Sequence, residues 1–141
     1  MTQADGDQQG RRHQPPLSSQ DYDFFYEGIA RGELLVQRCG GCDGLRNPPS
    51  PVCPTCHSLD WSTVALGGEG VVHSYTVHHH PPLPDYAVPH PIAIVDMPEG
   101  VRMVGAMDGT DPAAMAIGQR VRTQYVTRGD VPGFRFIPVE G

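Results

Sequence analysis

A mainly β fold, in which a short N-terminal helix and a small metal-held ribbon precede a five-stranded barrel, is predicted by three observations. The 141 residues include 15 Pro and 17 Gly, a composition suited to turns and strands more than to long helices. Four cysteines stand in two tight pairs, Cys39-Gly-Gly-Cys42 and Cys53-Pro-Thr-Cys56. After the boundary Gly67-Gly68-Glu69-Gly70 the side chains alternate with the period of strands.

A Cys-x-x-Cys turn aims two thiolates at one point, and two such turns supply the four tetrahedral sulfur ligands of a structural zinc ion. Cys39, Cys42, Cys53 and Cys56 therefore read as a zinc ribbon. Gly40, Gly41 and Gly44 suit knuckle turns, and Pro54 stiffens the second turn. Residues 43–52 between the pairs form a shorter loop than the roughly 15–20 residues usual at such sites, although short ribbons also close. The competing arrangement is two disulfides, or two free dithiols. No stretch near the N-terminus has the charged start and apolar core of a secretion signal, and Arg11-Arg12 leads into polar His13-Gln14-Pro15-Pro16. A cytoplasmic chain with reduced cysteines is expected. No segment approaches the ~20 apolar residues of a membrane span, so the chain is expected to be soluble.

Residues 1–19 read as a disordered tail. Leu17, Ser18-Ser19, Asp21 and Asp23 have the pattern of a staple, an N-cap and an acidic first turn, which predicts a helix over 20–32 closed at Gly32. On it Tyr22, Phe25, Tyr26 and Ile29 recur at i, i+3, i+4 and i+7 as one stripe. The stripe is either core, or a docking face for another subunit or a lid on an apolar ligand. Residues 33–38 predict a strand entering the first knuckle of a ribbon that spans 33–62. In the segment 63–141, Val71, His73, Tyr75 and Val77 are expected on one face of the first strand, with Val72, Ser74, Thr76 and His78 on the other. Further strands are expected at 91–97, 101–108, 119–127 and 134–139, and Asp111-Pro112 starts a helical turn over 113–116. Five strands with one short helix between the third and fourth is the element order of an OB-type barrel.

The formal charge of −6 opposes a nucleic-acid surface. A nucleic-acid-binding module is the rival reading, but residues 63–141 carry five Arg against eight Asp and Glu, with few aromatics to stack on bases. Chemistry by this chain alone is not expected either. There is no nucleophile elbow, the cysteines are occupied if zinc is bound, and Gly67–Gly70 lacks the Lys-Ser/Thr of a phosphate loop. His78-His79-His80 alternate between strand faces and so do not converge on one metal. With the Pro-rich run to Tyr86 they form either a solvated loop or a recognition surface. His57 adjoins a complete thiolate shell and is read as a surface neighbour.

In order and spacing the motifs resemble the DUF35 family. The resemblance runs from about residue 21 to the C-terminus through Asp23-Phe24-Phe25-Tyr26-Glu27-Gly28, Arg31-Gly32-Glu33-Leu34, Gln37-Arg38-Cys39, Cys53-Pro54-Thr55-Cys56-His57-Ser58 and Gly68-Glu69-Gly70-Val71-Val72. It continues through Ser74-Tyr75-Thr76-Val77, Pro91-Ile92-Ala93-Ile94-Val95 and Ile117-Gly118-Gln119-Arg120-Val121. It implies an N-terminal helix and a rubredoxin-like zinc ribbon ahead of an OB-fold domain. It also implies an accessory subunit: a partner of a thiolase-superfamily protein or a hydratase that holds a coenzyme A thioester or shapes its access. For actinobacterial relatives the resemblance implies a partner that can be an aldolase or thiolase of steroid side-chain degradation. Where the family often has an aromatic-Pro-Pro-Arg stretch, this chain has Asn47-Pro48-Pro49-Ser50, which leaves Arg46 or Arg38 to face a nucleotide phosphate. The candidate ligand-binding residues are therefore His78, His79, His80, Tyr86 and Arg46.

Overall fold

The computed structural model describes residues 18–82 and 86–140. Most of the expected tail, with the staple Leu17, and the loop tip Leu83-Pro84-Asp85 lie outside the described residues. Along the rest run α1 (Asp23–Ala30), β1 (Leu35–Cys39), β2 (Leu45–Arg46), β3 (Trp61–Ala65), β4 (Glu69–His78), β5 (His90–Asp96), β6 (Arg102–Ala106), a 3-10 turn (Pro112–Ala114), β7 (Arg120–Arg128) and β8 (Val131–Pro138). The fold class is the expected one: a helix, a four-cysteine ribbon and a nearly closed five-stranded barrel.

The helix begins later than its sequence signals suggest, because Ser19 first closes a turn. Its carbonyl accepts from the Tyr22 and Asp23 amides at 3.1 and 2.9 Å, its Oγ accepts from the Asp21 amide, and Asp23 Oδ1 accepts from the Ser19 amide. Asp23 thus reaches back over the turn that leads into the helix, while the N-cap position itself is Tyr22, without a side-chain cap, and not one of the two serines. Gly32, at φ +78°, ends the helix in the left-handed conformation that glycine adopts without strain. The aromatic stripe divides. Ile29 is buried, Phe25 packs edge-on against Phe134 at 6.0 Å, and Tyr22 and Tyr26 remain 38 and 39% exposed. The helix lies against β8, so the barrel supplies the core that a helix ahead of a ribbon would lack.

The ribbon sheet has the antiparallel order β2-β1-β3. Leu34 and Val36 at its base belong to the same apolar cluster as Val72, Val95, Met103 and Phe136 of the barrel. Ribbon and barrel thus share one core.

The barrel sheet has the antiparallel order β6-β5-β4-β7-β8 and curls until β6 approaches β8. Gly105 permits the approach: a Cβ there would lie 2.6 Å from the Phe136 ring and 2.9 Å from that of Phe134. In β4 the expected alternation holds only to Val72. A register shift sets Val72 opposite Val95 but Ser74 opposite Ile94, so Tyr75 and Val77 come round to the face of Val72. The physical reason is a β-bulge, which adds one residue to one strand and reverses every later side chain. It also sets His78 opposite His90.

Candidate metal centre and ligand groove

The two knuckles bring Cys39, Cys42, Cys53 and Cys56 together, with all four Sγ within 4.8 Å of one another. Cys39 and Cys56 are 3.4 Å apart, and Cys42 and Cys53 3.7 Å. Zn–S bonds of about 2.3 Å in a tetrahedron place the sulfurs about 3.8 Å apart, so the donor set fits zinc in number, type and spacing. Backbone amides already point at the sulfurs. Gly41 donates to Cys39 at 3.3 Å, and Thr55 and Cys56 donate to Cys53 at 3.4 and 3.5 Å. The Cys56 and Thr55 amides hold the Cys53 thiol down to about 6. At Cys56 the Ser58 amide lowers the value, but the crowding Cys39 sulfur and burial carry it up to about 11. Four sulfurs this close become thiolates together only with a cation among them. His57, exposed at φ +64°, is outside this cluster.

A second feature is an apolar groove of about 350 Å³ where α1 meets the barrel. Phe25, Tyr26 and Ile29 form its helical wall, with Ile92, Val104 and Phe134 opposite. At one end three side chains stack. The His90 imidazole lies 4.3 Å from the Tyr86 ring at 29°, and the Arg128 guanidinium carbon sits 5.1 Å from the same ring. His90 is only 4% exposed. Burial holds it below the ordinary histidine value of 6.5; Asp108 opposes that effect, while Arg128 and His78 add to it. Arg128 Nη2 donates to Asp108 Oδ1 at 2.8 Å and to the Phe134 carbonyl at 3.3 Å.

The candidate ligand residues are placed differently from one another. Tyr86 lines the groove. His78 donates through Nε2 to the Pro81 carbonyl at 2.7 Å, and His79 and His80 are exposed. Arg46 is turned inward: Nε donates to Gln37 Oε1 at 3.0 Å, Nη2 donates to the Ser50 carbonyl at 2.9 Å, and Nη1 is enclosed without a partner. Gln37 Oε1 also accepts from the Ser50 amide at 2.8 Å, so this pair fastens the loop leading to the second knuckle. His90, Arg128 and Val104 are groove residues that the sequence pattern did not single out. A histidine between two prolines, Pro89 and Pro91, is the one local sign among them.

Comparison with known proteins agrees with this architecture. Residues 27–62 match the model of the ChsH2 rubredoxin-like zinc ribbon domain, and residues 63–126 that of the ChsH2 C-terminal OB-fold domain. The 3-oxo-4,17-pregnadiene-20-carboxyl-CoA hydratase alpha subunit of Mycobacterium tuberculosis is 42% identical over 89% of this chain and 40% of its own length. A probable enoyl-CoA hydratase alpha subunit of Thermomonospora curvata is also 42% identical, over 75% of this chain and 33% of its own length. The chain thus spans about a third to two fifths of these two subunits. A DUF35 domain-containing scaffold protein of Methanothermobacter thermautotrophicus is 31% identical over 67% of this chain and 73% of its length. Among solved structures, a chain of the Ltp2-ChsH2(DUF35) aldolase superposes with a TM-score of 0.81 at 38% identity, covering 87% of this chain and 98% of that one. Among the described residues no helix is long and apolar enough to cross a membrane. With ribbon, barrel and helix matched in order, the chain belongs to the DUF35 family, in the form represented by the zinc ribbon and OB-fold domains of ChsH2.

Proposed function

We propose that this chain is a non-catalytic accessory subunit that docks on a thiolase-like enzyme, an aldolase or thiolase, and helps to bind or channel its coenzyme A thioester. The observation that carries this reading is the junction of α1 and the barrel, where the exposed rings of Tyr22 and Tyr26 and the 61% exposed Val104 flank or line an apolar groove. Exposed aromatics around a concave apolar surface are the anchors that protein interfaces use. Family membership supports the choice of partner, since relatives are named as hydratase alpha subunits and as one component of an aldolase. A steroid-derived acyl group is the substrate class that the mycobacterial relative's name supports. The zinc ion has a structural role here, holding the knuckles while the partner supplies the reacting groups.

The test is co-expression with a thiolase-like enzyme of the same organism, followed by size-exclusion chromatography and an acyl-CoA cleavage assay. Tyr26→Ala should weaken the complex by about thirtyfold, the ~2 kcal/mol of an interface anchor. Acyl-CoA turnover by the isolated chain, or a complex untouched by changes at Tyr22, Tyr26 and Val104, would refute the reading.

A further inference from the structure

The groove carries more than a docking face requires. Its walls are apolar, but Arg128 closes one end and also lines an adjoining polar cleft of about 380 Å³ with Asp108, Thr110, Thr127 and Arg135. Two guanidinium groups share one carboxylate there. Arg128 Nη2 is 2.8 Å from Asp108 Oδ1 and Arg135 Nη1 is 3.7 Å from Asp108 Oδ2. Among the described residues neither arginine has another carboxylate within 4.0 Å, so the cluster of two cations and one anion keeps a surplus of one positive charge. The Arg128 side chain is 14% exposed, and its Nε is enclosed with no acceptor. The accessible part of the Arg128 side chain lines both the groove and the cleft, and surplus positive charge at such a place favours an oxyanion.

We propose that the groove is a binding site, in this chain alone, for a small anionic amphiphile whose apolar body lies between α1 and β6/β8 and whose acidic head is bound by Arg128. The volume falls within the roughly 300–1,000 Å³ of small-molecule sites, with the usual division into apolar walls and few convergent polar groups. Tyr86 is held between His90 and Arg128, so a head group that engages Arg128 meets the edge of this stack. A purely apolar ligand would leave the surplus positive charge at Arg128 and Arg135 uncompensated, and a small hydrophilic anion would leave Phe25, Ile92, Val104 and Phe134 uncovered. Only a molecule with both parts serves both ends. The site does not depend on the partner enzyme proposed above, and its test uses no partner.

Two fluorescent probes of similar size decide it: anilinonaphthalene sulfonate, which has an apolar body and an anionic head, and the neutral phenylnaphthylamine. Titrated into the isolated chain, both should bind saturably, the sulfonate about tenfold tighter, as expected for one charge-assisted contact. Arg128→Gln should abolish that preference and leave the neutral dye unchanged. Val104→Trp, at a 61% exposed position on the groove wall, should weaken both by about tenfold or more without disturbing the fold. Should Arg128→Gln fail to fold, the preference of the wild-type chain and its loss of both dyes in Val104→Trp still decide the matter. Equal affinity of the wild type for the two dyes, sulfonate preference surviving Arg128→Gln, or unchanged binding to Val104→Trp would each overturn the proposal. Failure of these dyes with an intact enzyme complex would remove the ligand site alone; failure of the complex with intact dye binding would remove the docking reading alone.

Discussion

Removing the metal should melt the knuckles and leave the base of the ribbon standing. Between Gly40 and Asp60 the only buried residues are Arg46 and Cys53, and one of these is a zinc ligand. Fully burying a side chain contributes about 1.5–3 kcal/mol, whereas metal binding by zinc-finger peptides is worth roughly 10–16 kcal/mol. Packing is therefore too weak by several-fold to hold these loops without the ion. The base is different, because Leu34, Val36 and Leu66 are at most 7% exposed and belong to the barrel core. Cys53→Ser, or chelation of the wild type, should abolish hydrogen-exchange protection at the amides of Gly40, Asp43, Cys53 and His57, whose partners are the carbonyls of Asp60, Cys39, Ser58 and Cys53. The Leu66 amide, bonded to the Leu34 carbonyl at 2.8 Å, should stay protected. Elemental analysis of chain purified without chelator should find one zinc per chain. Knuckle amides that remain protected in the metal-free chain would refute the reasoning, as would loss of protection throughout the barrel in the same step.

Gly105→Ala should destabilise the chain by about 1–3 kcal/mol in chemical denaturation, since the new methyl lies 2.6 Å from the Phe136 ring and neither strand can retreat without opening the barrel. Ile29→Ala should cost about 2–5 kcal/mol of stability. Tyr26→Ala should change melting little while weakening partner binding, which separates the inward half of the stripe from the outward half. Phe25→Ala, whose ring meets both Phe134 and Tyr26, should affect both measurements. For His90 the folded state disfavours the proton, so below the ordinary value of 6.5 the unfolded chain binds it first. Stability should therefore fall as pH drops from 6.5 towards the lower folded value, and His90→Gln should flatten that slope in melts recorded between pH 5 and 7.

The four-cysteine cluster was legible because all four residues lie within 18 positions, Cys39 to Cys56, and each pair is fixed by a local turn. The barrel was legible for a related reason: its strands are local β-rich stretches bounded by turn residues, and the capping Asp111, whose Oδ1 accepts from the Ala113 amide, marks the short helix between the third and fourth strands. What escaped the sequence is what the fold assembles from afar. His90 stands at the start of β5, Arg128 at the end of β7 and Asp108 beyond β6, and nothing local to any of them announces a common site. The bulge in β4 is marked by neither Gly nor Pro, so the alternation read beyond Val72 was carried onto the wrong faces. Arg46 shows the same limit from the other side. As a lone cation near the knuckles it is a reasonable phosphate ligand, yet its place opposite Gln37 in the two-residue strand β2 turns it inward to the Ser50 carbonyl. A charged side chain takes its role from the acceptors within reach, and here those acceptors are supplied by a neighbouring strand and a returning loop. That is also why the aromatic stripe could not be assigned to core or surface from its spacing: a helix fixes which residues share a face, but β8 determines how far round that face the core extends.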